Sequence, residues 1–228
     1  MAPKVLVVLT SQSKMNNGNP TGWYLPELAH PYYDLVNAGV EIVTASPAGG
    51  EAPLDQGSVQ MFKEDEESVK FLNEKKQAWE QTAPLKEFLG KSSEFDAVFY
   101  PGGHGPMFDL VNDENSIKLI EEFYKAGKPV ASVCHGPIVF TQVKIDGKPL
   151  LEGREATGFS NSEEDAVGLT SAMPVLLEDE IKRVGGKYVK ADDWAEKLVV
   201  DGQVITGQNP ASAHAVGKAI LKAIDKQD

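Results

Sequence analysis

Five short apolar runs constrain this chain more than any other feature. They are Val5–Leu9, Val40–Ala45, Ala97–Tyr100, Pro129–Val133 and Val204–Thr206. Each is apolar almost throughout instead of alternating, so each asks for cover on both faces. Amphipathic stretches separate them. That rhythm predicts an α/β fold: a mostly parallel sheet with helices on both faces. A shorter run, Glu155–Thr157, predicts a further strand.

The helical stretches carry start and stop signals. Asn112-Asp113 precedes Ile117, Ile120 and Phe123, and Gly127 closes that stretch. Pro174 opens a helix with Leu177, Ile181 and Val184 on one face, ended by Gly185-Gly186. Asn209-Pro210 predicts the cap and first position of a C-terminal helix bearing Val216, Ile220, Ala223 and Ile224. From about 47 to 94 the rhythm fails. The segment is too long for a simple crossover, acidic in places, and contains Trp79. It reads as an insertion with its own helices, bordering a site within one α/β domain of residues 1–228.

A hydrophobic fraction of 41% supports a real core. The net charge of −12 excludes nucleic acid as a natural partner, since phosphates are repelled. The single cysteine, Cys134, cannot form an internal disulfide, which fits a reducing compartment. No apolar stretch is long enough for a membrane span, and the first is too short for a signal peptide. The expectation is a soluble cytoplasmic protein with no membrane partner.

All four histidines sit in loops or turns. His104 follows the run ending at Tyr100, His135 the run ending at Val133, and His214 the run ending at Thr206. His30 lies three residues beyond Glu27. In a parallel sheet the post-strand loops share the carboxyl edge, where ligands bind. Cys134 and the four histidines are therefore expected to converge on one crevice.

A buried strand followed at once by Cys134-His135-Gly136-Pro137 reads as a sharp strand-to-helix elbow that exposes a nucleophile. A helix starting near Gly136-Pro137 is expected to aim its N-terminus at the sulfur and favour the thiolate. His135 can supply an imidazole and a backbone N–H. Such a base needs a third group, and Glu163, Glu164 and Asp165 are the downstream acids in reach. Gly102-Gly103-His104-Gly105 suits an oxyanion hole, since it lacks the Lys-Ser/Thr of a phosphate loop. Glu27 falls near a helical region that Pro31 begins or kinks. A carboxyl beside a thiol in a partly apolar pocket has a raised pKa and can shuttle protons. The spacing of Glu27 and His30 could suit a metal, but one acid with dispersed histidines argues against it.

Five segments together resemble the ThiJ/PfpI superfamily. They are Glu27-Leu28-Ala29-His30-Pro31, Pro101-Gly102-Gly103-His104-Gly105, Val133-Cys134-His135-Gly136-Pro137, Thr157-Gly158-Phe159-Ser160 and Gly207-Gln208-Asn209-Pro210-Ala211-Ser212. The resemblance covers nearly the whole chain, in order. It implies a flavodoxin-like three-layer sandwich shared with class I glutamine amidotransferases. The long 47–94 segment and the Asn-Pro-Ala-Ser stretch resemble the glyoxalase III and heat-shock-chaperone branch. That likeness implies Cys134 as nucleophile, Glu27 as proton-relaying acid, and His135 with Glu164 completing a triad-like set. Gly102, Gly103 and His104 would bind substrate or its oxyanion. The implied activity is glutathione-independent conversion of methylglyoxal to lactate, a D-lactate dehydratase of the lyase class. It implies a small 2-oxoaldehyde substrate, no cofactor or metal, and a homodimer. A cysteine amidase, peptidase or deglycase on the same fold, or a stress chaperone or redox sensor, remains open from sequence.

Overall fold

A computed structural model describes residues 1–225, so the last three positions of the expected 1–228 unit lie outside the described residues. The strands in chain order are β1 (Lys4–Val8), β2 (Glu41–Ser46), β3 (Ala83–Pro84), β4 (Ala97–Tyr100) and β5 (Val130–Val133). A small hairpin follows, β6 (Lys144–Ile145) with β7 (Lys148–Pro149), and then β8 (Glu155–Ala156), β9 (Lys187–Tyr188), β10 (Leu198–Asp201) and β11 (Val204–Gly207). Seven of them form the central sheet in the order β10-β11-β5-β4-β1-β2-β3. Every pairing is parallel except β10 with β11. All residues of β4, β5 and β11 are buried, as continuous apolar runs demand of a sheet covered on both faces. The five predicted runs are thus the sheet's β1, β2, β4, β5 and β11.

The Glu155 run pairs elsewhere. β8 joins β9 in a separate two-stranded parallel sheet. Sequence reading missed β10. It is an edge strand with Val200 exposed, so its pattern is mixed. The Asp201-Gly202 pair before β11 is a hairpin signal that could have found it, and Gly202 takes the positive φ such a turn needs.

Among the described residues, eight α-helices flank the sheet and fill the loops. α1 (Leu25–Asn37) starts earlier than expected and runs through Pro31. Pro26 occupies its first turn, where a missing N–H costs nothing, so Pro31 neither begins nor ends the helix. Residues 47–94 hold α2 (Gln56–Met61), α3 (Glu66–Glu74) and α4 (Gln77–Glu80). Asp55 and Asp65 cap the first two of these with side-chain bonds to backbone N–H groups. Trp23 anchors this segment: its ring lies 6.2 Å from that of Phe71 and 5.8 Å from that of Trp79. α5 (Glu114–Lys125) is capped by Asp113. α6 (Asn161–Ala166) follows Ser160, α7 (Leu177–Arg183) begins three residues after Pro174, and α8 (Ala213–Asp225) closes the described chain. α8 packs on α1, β5 and β11. The expected Asn209-Pro210 cap is not formed. A short 3₁₀ turn, Pro210–Ser212, precedes α8, and the Asn209 side chain is spent elsewhere. Among the described residues no helix is long and apolar enough to cross a membrane.

Candidate active site

Cys134 is the first residue after β5 and has φ +63°, a conformation L side chains rarely adopt. Two bonds hold it there. Its N–H donates to the Gly207 carbonyl at 2.9 Å, extending the β5–β11 pairing by one residue. Its carbonyl accepts from the Phe159 N–H at 2.9 Å. The strain is local and over-determined, as at strained functional turns elsewhere. The α-helix expected to start beneath the sulfur is absent. Gly136–Phe140 is one short 3₁₀ turn, so the helix-dipole argument for a thiolate fails. Burial pushes the Cys134 thiol well up, and the neighbouring Glu27 carboxylate adds to this.

His135 and Glu164 meet as a buried pair. Glu164 Oε2 lies 2.5 Å from His135 Nε2, and Glu164 Oε1 lies 2.7 Å from His104 Nε2. One carboxylate thus accepts from two imidazoles. Burial alone would raise Glu164, but the two histidines outweigh it and hold the carboxyl well below its ordinary range. Burial, reinforced by His104, lowers His135 despite Glu164, so its imidazole is neutral. With Nε2–H donated to Glu164, Nδ1 carries the lone pair. It faces Cys134 Sγ at 3.7 Å. Phe159 packs on the His135 ring at 4.3 Å between centroids. Glu164 sits on α6 and not in a loop. The sequence signal for that helix was the Ser160…Glu163 capping box, which forms in full.

Glu163, next to it, has a different task. Its Oε1 accepts from Ser160 and Gln208 Nε2, and its Oε2 from Asn209 Nδ2 and the Trp194 N–H. It ties α6 to the loop after β11. Replacing it by alanine strands several of those buried donors and should cost about 3 kcal/mol. That is a fall in Tm of ~2–4 °C per kcal/mol at this length, checked by thermal unfolding. Asp165 accepts a hydrogen bond from the Thr170 hydroxyl.

Glu27 comes from the first turn of α1 and is fully buried. Neither carboxyl oxygen has a well-aligned hydrogen-bond partner. The thiol of Cys134 and the N–H groups of Gly102 and Gly103 lie beside it. They only partly offset burial, which pushes its pKa well up. Gly102 is required here. A Cβ on it would lie 2.4 Å from Glu27 Oε1 and 2.9 Å from Cys134 Cβ. Gly102 and Gly103 therefore border Glu27, and Gly102 also Cys134, whereas the His104 side chain is committed to Glu164.

The four histidines do not converge. His104 and His135 share the Cys134 site, with centroids 4.0 Å apart. His30 and His214 stack on each other instead, because α1 and α8 pack side by side. The Glu27–His30 pairing considered from spacing is likewise absent: His30 Nε2 bonds Asp65 at 2.6 Å. Sequence reading missed Tyr24 and Trp194. Both line a cavity of about 550 Å³ with Phe62, Asn209, His30 and His214. Burial raises the Tyr24 phenol, and the charges of Glu27 and Cys134 raise it further. Trp194 packs on Phe159 at 5.7 Å.

Residues 22–223 match the DJ-1/PfpI family. The glutathione-independent glyoxalase HSP31 of Saccharomyces cerevisiae is 30% identical, over 98% of this chain and 99% of that protein. Among solved structures, the 24 kDa rapid encystment protein of Francisella tularensis superposes with a TM-score of 0.92 at 36% identity, covering 97% of this chain and 99% of that one. Glyoxalase III of Candida albicans gives a TM-score of 0.86 at 29% identity, covering 97% of each chain.

Proposed function

Because the chain belongs to the DJ-1/PfpI family, we propose that it is a glutathione-independent glyoxalase of the glyoxalase III type, with Cys134 as nucleophile. The observation that carries this reading is a strained, buried Cys134 flanked on one side by an unpartnered Glu27 and on the other by Nδ1 of His135.

The reaction follows from those groups. The Cys134 sulfur bonds to the aldehyde carbon of methylglyoxal. The thiol proton passes to His135 and Glu27 gives its own proton to the aldehyde oxygen, giving a hemithioacetal and leaving Glu27 a carboxylate. The backbone beside Gly102 and Gly103 borders the developing oxyanion. Glu27 takes the proton from the former aldehyde carbon as His135 protonates the adjacent oxygen; Glu27 then protonates the adjacent carbon and takes the remaining hydroxyl proton from the former aldehyde oxygen. The product is a lactoyl thioester on Cys134. His135, oriented by Glu164, activates water, which cleaves the thioester and restores the thiol. Methylglyoxal plus water becomes lactate, with no net redox change and no external acceptor. Read backwards this is lactate dehydration, hence the lyase class. Delivery of the proton to one face of the carbonyl yields the D isomer. A raised Glu27 suits the step, since it must accept and return a proton near neutral pH. We place the protein in the cytoplasm as a homodimer. Light scattering tests the dimer, and a monomer would refute it.

The test is the purified protein with methylglyoxal and no glutathione, following aldehyde loss and chiral lactate. Stoichiometric D-lactate is expected. Absence of turnover, or faster turnover of an amide or a glycated peptide, would overturn the reading.

A further inference from the structure

His30 on α1 and His214 on α8 stack with ring centroids 4.3 Å apart and planes 9° apart. Each carries an aspartate on one ring nitrogen. Asp65 Oδ2 lies 2.6 Å from His30 Nε2, and Asp34 Oδ2 lies 2.8 Å from His214 Nδ1. Glu67, on α3, places Oε2 3.5 Å from His214 Nε2. That oxygen is buried and has no hydrogen-bond partner. One donor atom from each of His30, Glu67 and His214 lies within 4.8 Å of the other two. None of these groups enters the chemistry at Cys134.

We infer that His30, Glu67 and His214 form a divalent-metal site for Zn(II) or an ion of similar borderline character. Three features point there. First, two imidazoles and one carboxylate are a ligand set that such ions take, leaving at least one position for a solvent oxygen. Second, an imidazole that ligates a metal usually donates its other N–H to a carboxylate, which fixes its tautomer. Asp65 and Asp34 stand in those places. Third, bonds of about 2.1 Å at tetrahedral angles put donor atoms about 3.4 Å apart. The 3.5 Å between Glu67 and His214 already matches that edge.

Ligation requires one change. In parallel stacked rings the in-plane lone pairs cannot both point at a single ion, so one imidazole turns out of the stack. The site ties together α1, α3 and α8. Its open position faces the cavity of about 550 Å³ that Tyr24, Phe62 and Trp194 also line. Two alternatives compete. A protonated His214 could simply bridge Asp34 and Glu67 as ion pairs. An ion could also prefer His104, His135 and Glu164, whose donors are equally close, with Cys134 nearby.

The experiment uses the full chain stripped with a chelator, titrated with Zn(II) and with Co(II) by calorimetry, with thermal unfolding as the second readout. The variants are Glu67→Gln, His214→Gln, Cys134→Ala and His104→Asn. One ion per chain and a higher Tm are expected for the wild type, Cys134→Ala and His104→Asn. Glu67→Gln and His214→Gln should each weaken binding by about a hundred-fold or more. Glu67 is on the surface side of α3, so Glu67→Gln keeps the test decisive if His214→Gln fails to fold. No binding by the wild type overturns the proposal, as does affinity unchanged in Glu67→Gln. Loss of binding in Cys134→Ala or His104→Asn overturns it in favour of the ion at the Cys134 site. Because none of these readouts is glyoxalase activity, the proposal stands or falls separately from the proposed function.

Discussion

Cys134→Ala should lower methylglyoxal turnover by a factor of ~10³ or more while leaving the fold intact. Every covalent step in the proposed reaction forms or breaks a bond to that sulfur, so no other side chain can take its place. The fold should tolerate the change because the restraints on residue 134 are backbone bonds, to Gly207 and Phe159, and alanine keeps both. Alanine also shares the cost of φ +63°, so the elbow is not relaxed by the substitution. The sulfur approaches His135 Nδ1 at 3.7 Å and lies beside the Glu27 carboxyl. Steady-state kinetics with unfolding curves separates the two effects. Turnover persisting within tenfold of the wild type would remove Cys134 from the mechanism.

Glu27→Gln should cut turnover by ~10²–10⁴ and at the same time stabilise the protein at neutral pH. The loss reflects a proton carrier replaced by an amide of nearly the same shape. The gain follows from linkage. Glu27 has a folded pKa well above its unfolded value because burial opposes the charge. Above the ordinary carboxylate range the unfolded chain releases this proton and the folded chain keeps it. Stability therefore falls as pH rises from that range towards the folded pKa. Glutamine does not titrate, so the variant loses this decline. Each kcal/mol recovered is ~2–4 °C in Tm at this chain length. The difference in Tm should widen between pH 5 and pH 8. A flat difference would mean that Glu27 is not held protonated. The same variant should form the Cys134 thiolate at lower pH, because the Glu27 charge is one of the causes that raises it. Alkylation rate against pH reads this directly. The acid limb has the opposite origin. His135 is lowered and Glu164 is lowered, so both contribute stability that disappears as pH falls, first through His135 taking a proton.

Much of the frame was legible because the forces behind it are local and periodic. Continuous apolar runs located five of the sheet's seven strands, and those strands placed the elbow at Cys134. β3 and β10 were not legible, since an edge strand need not be apolar on both faces. α6 was missed although Ser160 and Glu163 announced it. Within the site, adjacency in sequence correctly put His135 beside Cys134. The glycines after β4, read as an oxyanion hole, stand where a Cβ on Gly102 would meet Glu27 and Cys134.

What distance in sequence separates, only packing could assign. Glu163 and Glu164 look alike in a row. Successive residues of a helix point about 100° apart, so α6 sends one to Gln208 and Asn209 and the other to His135 and His104. The four histidines all follow or border loops, yet α1 and α8 draw His30 and His214 into a stack of their own. The thiol's environment was also a tertiary matter. An expected helix dipole gave way to full burial beside Glu27, which reverses the direction of the pKa shift. The sequence by itself determined which residues could react and on which edge of the sheet they stand, because strand period and turn chemistry act over a few residues. Their partners and protonation were decided by the tertiary structure, because burial and charge act through space on whatever the fold brings within a few ångströms.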